Sequence, residues 1–196
     1  GSLGWVEGSA GGHAAVMGVV VVTPSLPSRV DLRAECVASV MAQTLQPVAH
    51  IIHLDYARIG PAACLNAMLP AAVATGAEWV AQIADDDLML PRHLELLAGE
   101  TDADVVYSYC DVTGRGGWNP SAPFDADRLR AANYIPATTL IRTELCSELG
   151  WRTDAAHGFE DWDFWIRALD AGARFVCVPF VTWVYRFHGD NLSAAL

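Results

Sequence analysis

Three consecutive carboxylates, Asp85-Asp86-Asp87, follow a run of apolar residues, Trp79 to Ala84. Like charges in a cleft repel one another and desolvate poorly, so such a cluster asks for positive charge. A divalent cation supplies it, and an all-oxygen ligand set favours Mg²⁺ or Mn²⁺ with substrate phosphates completing the shell. The bland alternative is a solvated acidic turn ahead of the helix near Pro91, where one aspartate would suffice for the helix dipole. A second acidic pair, Glu160-Asp161, opens a segment with Trp162, Trp165, Ile166 and Leu169 at helical spacing. It suits either proton transfer or a helix first turn. Asp55 ends another apolar run and reads as a contact residue or a turn residue.

The elements that position these residues follow from hydrophobic periodicity. Val16 to Thr23 is a β-branched run ended by Pro24, the pattern of a strand buried on both faces of a parallel sheet. Ser28 and Asp31 suggest a helix cap, with Leu32, Cys36, Val37, Val40 and Met41 on one stripe behind it. A strand over 48–54, a helix opened at Gly60-Pro61, a strand over 79–84 and a helix after Pro91 continue the alternation. This predicts an α/β fold with an open, mostly parallel sheet flanked by helices and a ligand crevice beyond the carboxyl ends of the strands. After Val105–Tyr109 the pattern gives way to Gly114, Gly116, Gly117, Pro120 and Pro123, which predict a substrate-contacting loop. Further on, a strand over 138–141, a short helix over 144–149, a longer one over 159–169 and two strands either side of Pro179 complete the chain.

At 196 residues and 53% hydrophobic content, one core and one domain are expected. The apolar stretch Ala14–Val22 is too short to span a bilayer. Gly1-Ser2 reads as a cloning remnant, and residues 1–14 as a poorly ordered arm without the features of a secretory signal. Five cysteines without a C-x-x-C pair suit reduced core thiols and a cytoplasmic location. A net charge of −11 removes any general attraction to nucleic acid or anionic membranes.

The motifs together resemble family 2 glycosyltransferases of the GT-A fold, over nearly the whole chain from Val16 to Ser193. Val20-Val21-Val22-Thr23-Pro24-Ser25 is similar to that family's first-strand signature, and Gly60 with Asn66 to its glycine and asparagine at the next helix. Asp85-Asp86-Asp87 with Pro91 looks like its D-x-D motif. Gly158-Phe159-Glu160-Asp161-Trp162 resembles its glutamate-aspartate segment, and Tyr185-Arg186-Phe187-His188, with Asn191 and Ser193, its C-terminal motif. The arginine usual before the asparagine is Leu65 here.

The resemblance implies a small, single-domain, inverting enzyme that moves a sugar from a nucleoside-diphosphate sugar, a UDP-sugar first, to an acceptor hydroxyl with Mn²⁺ or Mg²⁺. Residues 15–110 would form the nucleotide-sugar half and 111–196 the acceptor and catalytic half. Thr23, Pro24, Ser25, Arg29, Asp55, Asn66, Asp85 and Asp86 would contact the donor. Asp87, with Asp85 or Asp86, and His188 would hold the metal. Asp161 would be the general base and Glu160 would orient the acceptor or that base, with Trp162, Trp118 and Tyr134 stacking on sugar or acceptor. The acceptor could be a glycan, a lipid-linked sugar, a protein or a hydroxylated DNA base. A non-catalytic binding module of the same fold is the alternative. A sugar-nucleotide pyrophosphorylase fits less well, because Thr23 to Arg29 is proline-rich where that class has a glycine-rich loop.

Overall fold

A computed structural model describes residues 18–113, 121–155 and 159–187. The chain opens with β1 (Val19–Ser25), α1 (Val30–Met41), β2 (Ala49–Leu54), α2 (Pro61–Ala74) and β3 (Trp79–Gln82). It continues through β4 (Leu88–Met89), α3 (His93–Ala98), β5 (Val105–Thr113) and α4 (Ala126–Ala131). Last come β6 (Thr139–Arg142), α5 (Thr143–Leu149), α6 (Glu160–Asp170) and β7 (Phe175–Arg186).

The strands form a seven-stranded sheet in the order β2-β1-β3-β6-β5-β7-β4. β1 pairs in parallel with β2 and β3, and β5 with β7. β6 runs antiparallel to both β3 and β5, and β4 antiparallel to β7. The sheet is therefore mixed: the helical crossovers α1 and α2 make the β2-β1-β3 half parallel, whereas the segment carrying α4 joins the neighbouring strands β5 and β6 so that β6 enters in the opposite direction.

Alternation along the buried strands divides two cores. Val20, Val22, Val80, Val105, Tyr107 and Ile141 pack with α2, α4, α5 and α6 through Leu65, Leu129, Cys146, Phe164 and Trp165. Val19, Val21, Trp79, Ala81, Val106 and Leu140 pack on the other side with Cys36 and Val40 of α1 and Leu94 and Leu97 of α3. Helices on both faces explain why β1 from Val19 to Val22 and β3 from Trp79 to Ala81 are continuously apolar rather than alternating.

Four local expectations change. β5 runs on to Thr113, and its parallel partner β7 is one strand across Pro179, with register shifts opposite Ser108, Tyr109 and Cys110 that accommodate the proline as an irregularity. α4 lies in the stretch expected to be irregular, begun by Asp125, whose side chain accepts from the Arg128 N–H at 2.9 Å. α1 starts at Arg29 without a side-chain cap, so Ser28 does not serve as one. β4, two residues directly after the acidic triplet, has too little sequence to carry a period.

Candidate active site

β1 and β3 lie side by side, with Val22 opposite Gln82, so the chain leaving β3 through Ile83 and Ala84 brings Asp85 beside the residues that follow β1. Asp85 is buried and accepts three hydrogen bonds: from Ser25 Oγ at 2.7 Å, the Leu26 N–H at 3.1 Å and Arg29 Nη1 at 2.9 Å. The same Arg29 Nη1 reaches Asp86 at 2.8 Å. Arg33 supports the turn from behind, donating to Ser25 Oγ at 2.9 Å and to the Leu26 carbonyl at 3.1 Å. Ser25 and Arg29, expected at the nucleotide, thus converge on the acidic triplet.

Asp87 accepts the Arg186 N–H at 3.1 Å. The Arg186 guanidinium bonds the Asp86 carbonyl and pairs with Glu35. Burial and then the neighbouring Asp86 charge push the Asp87 carboxyl well above the usual carboxylate range, against the pull of Arg186. Asp85 and Asp86 share the Arg29 guanidinium, and Arg186, paired with Glu35, lies beside Asp87. The all-oxygen donor set of this cluster suits a hard divalent cation. Among the described residues no group of three or more His, Cys, Asp or Glu side chains is arranged to hold a metal, so the shell would need oxygens from a substrate or water. His188 lies outside the described residues.

Asp55 ends β2 and is spent on its own loop. Its two oxygens accept the Ile59 N–H at 2.8 Å and the Gly60 N–H at 2.9 Å. Burial works to raise its carboxyl, but these two amides hold it below the usual range. Between them the backbone takes positive φ at Arg58 (54°) and Gly60 (90°), and a side chain at Gly60 would be strained. Tyr56 in the same loop is 77% exposed. Asn66 of α2 brackets Trp151, donating to its carbonyl at 2.6 Å and accepting its N–H at 2.9 Å. Gly150 allows that approach, since a Cβ there would sit 3.3 Å from the Asn66 oxygen. Thr23 Oγ1 lies 2.9 Å from His50 Nε2, and Pro24 closes β1 opposite His53.

In the second half, Asp161 sits in the first turn of α6, next to Glu160. Burial raises its carboxyl to about 6, opposed by hydrogen bonds from Asn133 and from the Trp162 N–H. Asn133 Nδ2 lies 3.2 Å from both Asp161 oxygens, and the Trp162 N–H is 2.7 Å from Oδ1. Trp162 donates its indole N–H to the Leu129 carbonyl at 2.7 Å. Tyr134 is buried, its hydroxyl 2.7 Å from the Asp125 N–H and its ring beneath Arg128. Trp162 therefore braces α4, and Tyr134 ties the segment after it back to Asp125. Trp118 lies outside the described residues.

Glu160 lines a small cleft of about 50 Å³ with Ile59, Gly60, Pro61 and Arg152, so the Asp55 loop and the start of α6 meet. A wider cleft of about 390 Å³, bounded by Asp104, Arg142, Glu148 and Arg174, lies at the opposite ends of the strands, away from the acidic triplet. Sequence reasoning missed Asn133, Arg33 and the charge role of Arg186. Arg186 stood in a recognised motif, but Asn133 carried no local signal.

No protein-family model matches the chain. It is 28% identical to the "uncharacterized glycosyltransferase YwdF" of Bacillus subtilis (strain 168), over 91% of this chain and 77% of that protein. Among solved structures it is similar to S. aureus TarS 1-349 in complex with UDP-GlcNAc, with a TM-score of 0.68 at 17% identity, covering 92% of this chain and 62% of that one. It is also similar to the mannosyltransferase PcManGT of Pyrobaculum calidifontis in complex with GDP-Man and Mn²⁺, with a TM-score of 0.62 at 19% identity, covering 90% of this chain and 59% of that one. The chain thus spans about 60% of the length of these structural neighbours. The fold is that of the GT-A glycosyltransferases, and the resemblance in sequence extends to a named glycosyltransferase.

Proposed function

We propose that this protein is a metal-dependent, inverting glycosyltransferase that takes a sugar from a nucleoside diphosphate, UDP in the first instance, and passes it to an acceptor hydroxyl. The observation that carries the reading is the buried carboxylate triplet after β3, set at the carboxyl edge of the parallel strands. TarS with UDP-GlcNAc and PcManGT with GDP-Man and Mn²⁺ support it by shared fold.

In this reading Asp87, assisted by Asp85 or Asp86, holds Mn²⁺ or Mg²⁺, with His188 a further ligand. When bound, the ion neutralises charge growing on the departing diphosphate. Arg29 and Ser25 fix Asp85 so that the triplet keeps its place as the donor enters. Asp55 acts on the nucleotide through the loop whose amides it gathers, presenting Tyr56 beside the base. Asn66 holds α2 against the 150–151 segment, which keeps the donor and acceptor halves in register.

Asp161 takes the proton of the acceptor hydroxyl as its oxygen attacks the anomeric carbon and the bond to the nucleoside diphosphate breaks. A carboxyl near 6 is ionised at neutral pH yet basic enough to accept a proton in the transition state. Glu160, lining the cleft beside Gly60, contacts the acceptor. Trp162 and Tyr134 shape the acceptor side through the segments they brace, and Trp118 belongs to the acceptor loop.

Calorimetry with a panel of UDP- and GDP-sugars, with Mn²⁺, with Mg²⁺ and with chelator, tests the reading. Metal-dependent binding of a UDP-sugar is the expected result. Absence of binding to every donor under every metal condition would leave a non-catalytic module of the same fold.

A further inference from the structure

α4 and the segment linking it to β6 are fastened to α6 by two indole N–H groups one helical turn apart. Trp162 donates to the Leu129 carbonyl at 2.7 Å and Trp165 to the Ile135 carbonyl at 3.2 Å. Asn133 lies between the two fastening points. Its Nδ2 is 3.2 Å from each oxygen of Asp161. A carboxylate only accepts hydrogen bonds, so it selects the amide face that donates. The orientation leaves Asn133 Oδ1 buried without a hydrogen-bond partner among the described residues. Burying an amide oxygen unpaired is costly, and the amide keeps this pose because its nitrogen serves Asp161.

We infer that Asn133 is the positioning residue of the base: its amide NH₂ straddles the Asp161 carboxylate, orients both oxygens and favours the form without the proton. The inference rests on Asp161 being the base and adds a residue to that reading. The stabilisation acts against burial, the largest influence on Asp161, and against the adjacent Glu160, which pushes in the same direction as burial. The cations on the elements packed nearby have other engagements. Arg128 lies over the Tyr134 ring, Arg130 pairs with Asp170, Arg152 with Asp154 and Asp163, and Arg167 with Asp163. Among the described residues the hydrogen bonds that oppose burial and favour ionised Asp161 thus come from neutral donors, Asn133 and the Trp162 N–H.

The test is an NMR titration of the Asp161 side-chain carbon in the full chain labelled at aspartate, the resonance identified by its loss in Asp161→Asn. Wild type should titrate near 6. Asn133→Ala should titrate about one unit higher, the loss expected for hydrogen bonds to a charged group. Asn133→Leu, close in shape, uncharged and without a donor, keeps the measurement open if the alanine variant does not fold and should also move Asp161 upward. An Asp161 titration unchanged in a folded variant would overturn the inference, since a merely structural Asn133 would not move it. Metal-dependent release of UDP from UDP-GlcNAc by Asp161→Asn keeps the two readings apart. Release at the wild-type rate would sink the base assignment and this inference with it. No release combined with an unmoved titration would remove Asn133 alone.

Discussion

At the ends of β1 and β3, Asp85 and Asp86 meet a guanidinium, whereas in the first turn of α6 the partners of Asp161 among the described residues are an amide NH₂ and a backbone N–H. Formal charge answers charge in the first place, and neutral dipoles do so in the second. An ion-paired carboxylate is a poor proton acceptor but a good anchor. One buried among neutral donors keeps a high proton affinity, which general-base chemistry requires. In the proposed reading the two acidic sites therefore do different work, binding in one and proton transfer in the other.

The largest way to break the comparison is Asp161→Asn. Turnover of a UDP-sugar should fall about 10²- to 10⁴-fold, as expected for loss of a general base. Next comes Arg29→Ala, which removes the shared partner of two buried carboxylates. It should destabilise the fold by about 3 kcal/mol in urea denaturation. An equal loss from removing Asn133 would erase the distinction between charged and neutral support.

Proton linkage sharpens the contrast. Asp161 is raised from 3.8 to about 6, so the folded state binds its proton more tightly than the unfolded state. Its contribution to stability therefore declines as pH rises from about 4 to about 6 and is level above that. Melting curves of wild type against Asp161→Asn should diverge across that window, because the variant cannot ionise. Wild-type turnover should lose about tenfold per pH unit below the same midpoint. The smallest effect belongs to Trp162→Phe, which loses the indole bond to the Leu129 carbonyl. About 1 kcal/mol of stability should go with it, read from the same denaturation series.

Much of the first half was legible in the sequence because its signals are local. A β-branched run such as Val19 to Val22 reads as a strand buried on both faces, and the acidic triplet follows its strand after Ile83 and Ala84. Gly60-Pro61 marked the opening of α2 for the same reason. The rest depends on pairing between distant residues. Nothing near Pro179 tells that β7 continues across it, because β5 supplies the partner, 70 residues earlier in the register Val105 to Phe175. Arg29 shows no preference for Asp85 in sequence, and Ser25 and Arg29 read as donor contacts until the fold brings them to the triplet. Asn133 is an ordinary polar residue until two tryptophans of α6 fix the backbone on either side of it.

The division of labour is tested most directly by measuring, on one preparation each of Asp87→Ala and Asp161→Asn, both Mn²⁺-dependent UDP-GlcNAc binding by calorimetry and UDP release. Asp87→Ala should lose metal-dependent binding, while Asp161→Asn should bind as wild type does and release no UDP. Loss of binding in Asp161→Asn, or wild-type release from it, would contradict the assignment of binding to one acidic site and proton transfer to the other.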